Sequence, residues 1–256
     1  MNALRRVWIS EWIKLRSVRS TWWAVGGAVL AMVVAAALNG TSTATEMAAE
    51  AAPPGSTTYV SLAISAVNFV QFIVPVPAML LITSEYASRS ITFSLQCVPA
   101  RTRLLLGKAG IVAAFGFALG TLLGVVGVAV GVPALGEYGH FVAGDTVRSV
   151  LAIGLYCGMI SMVALGVGTF TRSSAATVSL LFLVLLVAST LLGGLGEAMG
   201  WDWLVTISVY FPNIAGETFI TGSDQPYSPV IGLLTLSGWA AAALLAGVAA
   251  LKTRDA

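Results

Sequence analysis

Six apolar runs divide the chain, at about residues 22–38, 60–83, 104–132, 147–170, 175–192 and 230–251. Each is close to the roughly 20 residues a helix needs to cross a hydrocarbon layer. The polar stretches between them predict the remaining elements. In residues 1–20, Leu4, Val7, Trp8, Trp12, Leu15 and Val18, with Trp22 beyond them, share one helical arc, and Arg5, Arg6 and Arg16 lie away from it. That pattern predicts an amphipathic helix at a membrane interface, tryptophans at headgroup depth and basic groups toward anionic lipid. Glu11 falls inside the apolar arc. It either pairs with Lys14 three residues on or contacts a neighbouring span or the basic loop.

Residues 84–108 form the longest polar interruption on that side of the chain. Ile91, Leu95 and Val98, spaced i, i+4, i+7, predict a short helix with one apolar face. Pro99 ends it, because proline has no amide to donate and disfavours helix at the preceding residue. A second long interruption, residues 193–229, mixes acidic groups with Trp201, Trp203, Tyr210, Phe211 and Phe219. It predicts short helices dipping into the interface, with a break at Pro212-Asn213. The expected fold is all-α: a single transmembrane domain over residues 1–256, polytopic, with six spans and an N-terminal interfacial helix.

Within the spans the polar and small residues carry further detail. Ser61, Ser65 and Asn68 recur at i, i+4, i+7 on the second run, with Gln71 beside them. Such a face looks into a bundle, either as hydrogen-bonding glue between helices or as the wall of a transport pathway. Pro75 and Pro77 predict a kink in the same helix. Gly116, Gly120, Gly124, Gly127 and Gly131 on the third run, and Gly154 and Gly158 on the fourth, have the small-residue spacing that lets helices approach closely.

Composition fixes the class. Charged residues make up 9% and hydrophobic residues 57%, whereas a soluble domain is about 25% charged. The first run is a retained anchor rather than a signal peptide, since the segment before it is long and five more apolar runs follow. Charge then sets the topology. Arg5, Arg6, Lys14, Arg16, Arg19, Arg89, Arg101, Arg103, Lys108, Arg172, Lys252 and Arg254 fall on the side of both termini, leaving Arg148 alone on the other. The positive-inside rule makes the basic side cytoplasmic.

Several chemistries lack their residues. No phosphate-binding loop exists: Gly107-Lys108 has no upstream glycine at the required spacing and is followed by Ala109. The chain is not expected to hydrolyse ATP or to be an enzyme, and no catalytic residue is assigned. His140, the only histidine, sits in a loop as a solvated residue, and no Cys/His cluster suggests a metal. Cys97 and Cys157 fall at different depths, which argues against a disulfide. No ionisable residue falls in the middle of a predicted span, which counts against a secondary transporter. No nucleic-acid partner is expected.

Three places resemble the permease subunit of type-2 ATP-binding-cassette (ABC) transporters, in the small six-span bacterial form of the exporters. Glu11 to Trp23 is similar to the family's connecting helix. Ile82 to Lys108 is similar to its loop after the second span: Glu85, Pro99, Arg101, Arg103 and Lys108 match, and Arg89-Ser90 stands where the family has Gly-Thr. Tyr210-Phe211-Pro212-Asn213-Ile214-Ala215-Gly216 is similar to a run ahead of its last span.

The resemblance implies a dimerising transmembrane subunit in a bacterial plasma membrane. Its partners would be a cytosolic ATPase subunit, a second permease copy or related permease, and membrane lipids. ATP and Mg²⁺ would sit on the partner subunit, with no cofactor on this chain. The coupling region would be Glu85, Tyr86, Arg89, Ser90, Ile91, Leu95, Val98, Pro99, Arg101 and Arg103. Arg101 and Arg103 would meet acidic groups on the ATPase or anionic headgroups. Glu85 would pair internally, for instance with Arg89, or cap the coupling segment. Trp8, Glu11, Trp12 and Lys14 would mark the interfacial helix, Ser61, Ser65, Asn68 and Gln71 the pathway, and Tyr210, Phe211, Pro212 and Asn213 the outer gate. The expected cargo is amphiphilic, such as a drug, peptide antibiotic or lipid-like molecule. The competing readings are an ion-gradient-driven transporter or channel and a non-transporting immunity or scaffold protein.

Overall fold

The computed structural model describes residues 3–88, 90 and 101–253. The coupling-segment residues Arg89, Ile91, Leu95, Val98 and Pro99 lie outside the described residues. The fold is all-α apart from one two-residue strand pair. Helix α1 spans Ala3–Ser17 and α2 spans Arg19–Ala49, separated at Val18, whose backbone is extended. Strand β1 (Thr57–Thr58) precedes α3 (Tyr59–Val70), and α4 follows at Val76–Ala87. Helix α5 spans Arg101–Leu135. Strand β2 (Gly139–His140) pairs in parallel with β1, and its His140 is exposed. Helix α6 is Ala143–Thr171. Helix α7 (Ser174–Phe182) continues through a wide turn at Leu183–Val187 into α8 (Ala188–Met199). Two short helices, α9 (Asp202–Ser208) and α10 (Pro212–Thr221), lead to α11 (Pro229–Thr253).

Among the described residues, five segments are long and apolar enough to cross a membrane: α2, α5 with the turn after it, α6, α7 with α8, and α11. The remaining apolar run, residues 60–83, is not one helix. It divides into α3 and α4 around a turn at residues 71–75. Pro75 and Pro77 lack the amides that a continuous helix would use, and Pro77 instead sits in the first turn of α4, where no donor is needed. The outer surface is apolar on several helices, as lipid contact requires: Trp23, Leu30 and Leu38 on α2, Leu191 on α8, and Leu234 and Leu245 on α11 are exposed.

Helices α5 and α6 pack through their glycines. A methyl group on Gly116 would lie 2.8 Å from the Cys157 carbonyl oxygen, and one on Gly158 would lie 2.9 Å from that of Ala113. Glycine here buys backbone-to-backbone approach, so that α6 can be surrounded by α3, α4, α5, α10 and α11. The charged residues collect at opposite ends of this bundle. Helix α1, the end of α4, the starts of α5 and α7, and the end of α11 meet at a basic end. The strand pair, the turn after α5 and the start of α6 lie at the other, with Glu46, Glu50, Glu137 and Asp145 on its segments.

Candidate functional site

Lys108 is the eighth residue of α5, and its neighbours at i−4, i−3, i+3 and i+4 are Leu104, Leu105, Ile111 and Val112, all buried. A lysine on such a face goes inward with them. Its side chain is 0% exposed. Burial of an unpaired ammonium costs several kcal/mol in an apolar interior, roughly, so it needs carboxylates. Two are supplied from other helices. Lys108 Nζ donates to Glu11 Oε2 of α1 at 2.7 Å and to Glu85 Oε1 of α4 at 2.8 Å.

Lys14 completes the group, donating to Glu11 Oε1 at 2.9 Å and to Glu85 Oε1 at 2.6 Å. The four side chains form a closed ring of two carboxylates and two ammonium groups. Glu11 thus makes both contacts that its place in the apolar arc left open: Lys14 in its own helix and a neighbouring span. Lys14 is the outermost member. Burial opposes its charge, but the hydrogen bonds it donates to Glu85 and Glu11, with their negative charges, outweigh it and hold Lys14 above the ordinary lysine value. A cavity of ≈520 Å³ between α1, the start of α2 and α4 has Lys14 and Glu85 on its wall, with Pro77, Leu80 and Leu81 above them.

Glu85 and Lys108 stand on either side of residues 88–101, so both flanks of that stretch are pinned to α1. A second junction ties the same end to α11. Arg101 donates to the Leu251 carbonyl, and Arg172 to that of Ala250 at 3.5 Å. Both carbonyls lie in the last described turn of α11, where cations meet the negative end of a helix dipole. Arg172 also lies over the Tyr86 ring, 5.0 Å from its centre. Arg101 is therefore engaged within the chain, while Arg103 is exposed. Ser90 meets the Ser88 hydroxyl at 2.9 Å.

The polar stripe on the second run divides. Ser61 donates to the Thr58 carbonyl at 2.6 Å and Ser65 to that of Ser61 at 3.0 Å, both within or next to α3. Asn68 is exposed. Gln71 is buried at the break, where its amide donates to the Asn68 carbonyl at 2.9 Å and accepts from the Tyr156 hydroxyl of α6. Tyr156 and Lys108 are residues that the sequence did not single out as site residues.

Of the interfacial-helix residues, Trp8 and Trp12 are about half exposed, at 51% and 50%. A methyl group on Gly110 of α5 would sit 3.1 Å from the Trp8 ring, so α1 rests directly on α5. The residues expected at an outer gate pack against separate neighbours. Tyr210 stacks on Tyr227 at 5.1 Å, and Phe211 packs on Trp239 of α11 at 5.6 Å. Pro212 opens α10, and Asn213 donates to the Ser189 hydroxyl of α8 at 2.9 Å. Among the described residues, no group of three or more His, Cys, Asp or Glu is placed to hold a metal ion. No family model matches the chain, and no curated protein matches it.

Proposed function

We propose that this chain is the permease subunit of an ATP-driven exporter of the type-2 ATP-binding-cassette kind. The carrying observation is the ring of Glu11, Lys14, Glu85 and Lys108, which ties α1 to both flanks of residues 88–101. On this reading α3 and α4 together make the second of six crossings, and the basic end faces the cytoplasm of a bacterial cell. A cytosolic ATPase docks on the loop and on the Arg103 face. ATP and Mg²⁺ are held by that partner, and a second permease copy completes the pathway.

The mechanism follows from stiffness. When the ATPase subunits close, the displaced loop pulls on α4 and α5 at once, because Glu85 and Lys108 share α1 as an anchor. Arg101 and Arg172 pass the same displacement to α11. The break at residues 71–75 lets α4 tilt while Gln71 and Tyr156 hold α3 to α6. Amphiphilic cargo suits the mixed wall of the cavity beside Lys14.

Ion-gradient-driven transport is the second reading, and the buried Glu11, Glu85 and Lys108 favour it, since buried ionisable groups at a membrane commonly serve ion pathways. One experiment separates the two. The full-length chain is isolated from its native membrane in mild detergent, alongside a variant carrying Ile91→Asp and Leu95→Asp, and its companions are identified. An ATPase subunit with the unaltered chain, lost with the variant, supports the permease. No ATPase, together with transport that collapses when the proton gradient is dissipated, overturns it.

A further inference from the structure

The described cations sort by what holds them. Lys14 and Lys108 pair with Glu11 and Glu85. Arg101 and Arg172 donate to the end of α11, and Arg148 to the carbonyls of Phe219 and Ile220 at the end of α10. Four remain without an ion pair or side-chain hydrogen bond among the described residues: Arg16, Arg19, Arg103 and Lys252. All four are exposed, and all lie on segments that meet at the basic end. The two described carboxylates at that end, Glu11 and Glu85, are already committed to the buried ring. That end therefore carries positive charge that nothing in the described chain balances.

Beside Arg16 the surface is also hollow. A cleft of ≈350 Å³ is lined by Trp12, Leu15, Arg16, Thr21, Trp22 and Phe115. Leu15 and Thr21 are buried and form its floor, while Trp12 and Trp22 are 50% and 58% exposed and form its walls. The Trp22 indole N–H donates to the Arg16 carbonyl at 2.9 Å, which fixes that wall to the turn between α1 and α2. Arg16, whose side chain is exposed, thus lines an aromatic cleft at the junction of α1 and the membrane-length helix α2.

We propose that this cleft binds one anionic phospholipid, with its phosphate on Arg16 and the upper part of an acyl chain between Trp12 and Trp22, over Leu15 and Phe115. The chemistry of the walls decides for a lipid. A peptide laid there would bring backbone N–H groups against side chains of which only the Thr21 hydroxyl can accept a hydrogen bond. An acyl chain carries no such groups, and aromatic side chains at headgroup depth suit the boundary between chain and phosphate. The unpaired Arg19 adds attraction for the same headgroup. This proposal goes beyond the permease reading and does not depend on it.

The test is lipid competition on the full-length chain, purified in mild detergent and read by native mass spectrometry. Dioleoyl phosphatidylglycerol and dioleoyl phosphatidylcholine are offered at equal concentration, so that the chains are identical and only the headgroup charge differs. The first bound lipid is phosphatidylglycerol by several-fold. Arg16→Gln brings the ratio near one without changing thermal unfolding, whereas Arg103→Gln, outside the cleft, leaves it near the wild-type value. Trp12→Ala with Trp22→Ala lowers retention of both lipids. Soluble glycerol phosphate fails to displace the bound lipid. A wild-type ratio near one overturns the proposal, even where Arg16→Gln fails to fold. So does an equal loss of preference in Arg103→Gln, which means diffuse charge without a site. Displacement by glycerol phosphate overturns it as well, because the site is then one for phosphate and not for lipid.

Discussion

Lys108 and Tyr156 are fully buried side chains whose polar ends are satisfied from distant parts of the chain. Lys108→Met removes the buried cation that Glu11 and Glu85 share, and breaking a buried pair in this way is expected to destabilise the chain by about 3–5 kcal/mol. Changing Lys108→Met, Glu11→Gln and Glu85→Gln together removes both sides of the interaction and recovers most of that loss. Thermal unfolding in detergent reads both, and a wild-type melting temperature in Lys108→Met alone refutes the account. Tyr156→Phe removes the donor to the buried Gln71 amide oxygen and costs about 1–3 kcal/mol by the same measurement. The two residues differ in how far sequence reveals them. Lys108 has apolar neighbours at every i±3 and i±4 position, a readable sign of burial that the reading of 104–132 as a plain span passes over. Tyr156 gives no such sign, since its partner lies 85 positions away and is reached only once α3 and α6 have packed.

At the scale of elements, helix-to-helix distance is the controlling quantity. Gly120 sits where any side chain meets α6, with the Ile153 carbonyl 2.9 Å from a would-be methyl group. Gly120→Leu is expected to force α5 and α6 apart and cost about 1–3 kcal/mol or more. Gly26→Leu on α2, with nothing within 4 Å, is expected to melt like the wild type. The glycine spacings were legible in sequence, as were the apolar runs, because both are local. Element ends were not. The run at 22–38 belongs to a helix that continues to Ala49, since Thr41, Ser42 and Thr45 return their hydroxyls to carbonyls of their own helix. Hydropathy records where a helix can meet lipid, and helicity persists past that point. Likewise the 175–192 run extends as helix to Met199, into the stretch read as an interfacial segment. Pro75 and Pro77 announced a kink, while the full separation of α3 from α4, with Gln71 at the break bonded to Tyr156, is a tertiary feature the local pattern does not carry.

For the whole molecule, the partition of charge along the sequence is matched by the two ends of the bundle, and it makes the orientation testable. In a background of Cys97→Ser and Cys157→Ala, single cysteines are placed at the exposed positions Ser42, Ser223 and Ser17. Ser42→Cys and Ser223→Cys are expected to react with a membrane-impermeant maleimide on intact cells, and Ser17→Cys only after the cells are opened. The reverse pattern inverts the topology, and uniform labelling removes it. The buried ring also bears on how the molecule is made. Helix α1 leaves the ribosome before α5, yet Glu11 has no buried cation to meet until Lys108 has been synthesised and inserted. Through that interval Lys14, in its own helix, is the partner within reach of Glu11. Docking of α1 is then complete only once α4 and α5 have both been made, because its two buried partners come from them.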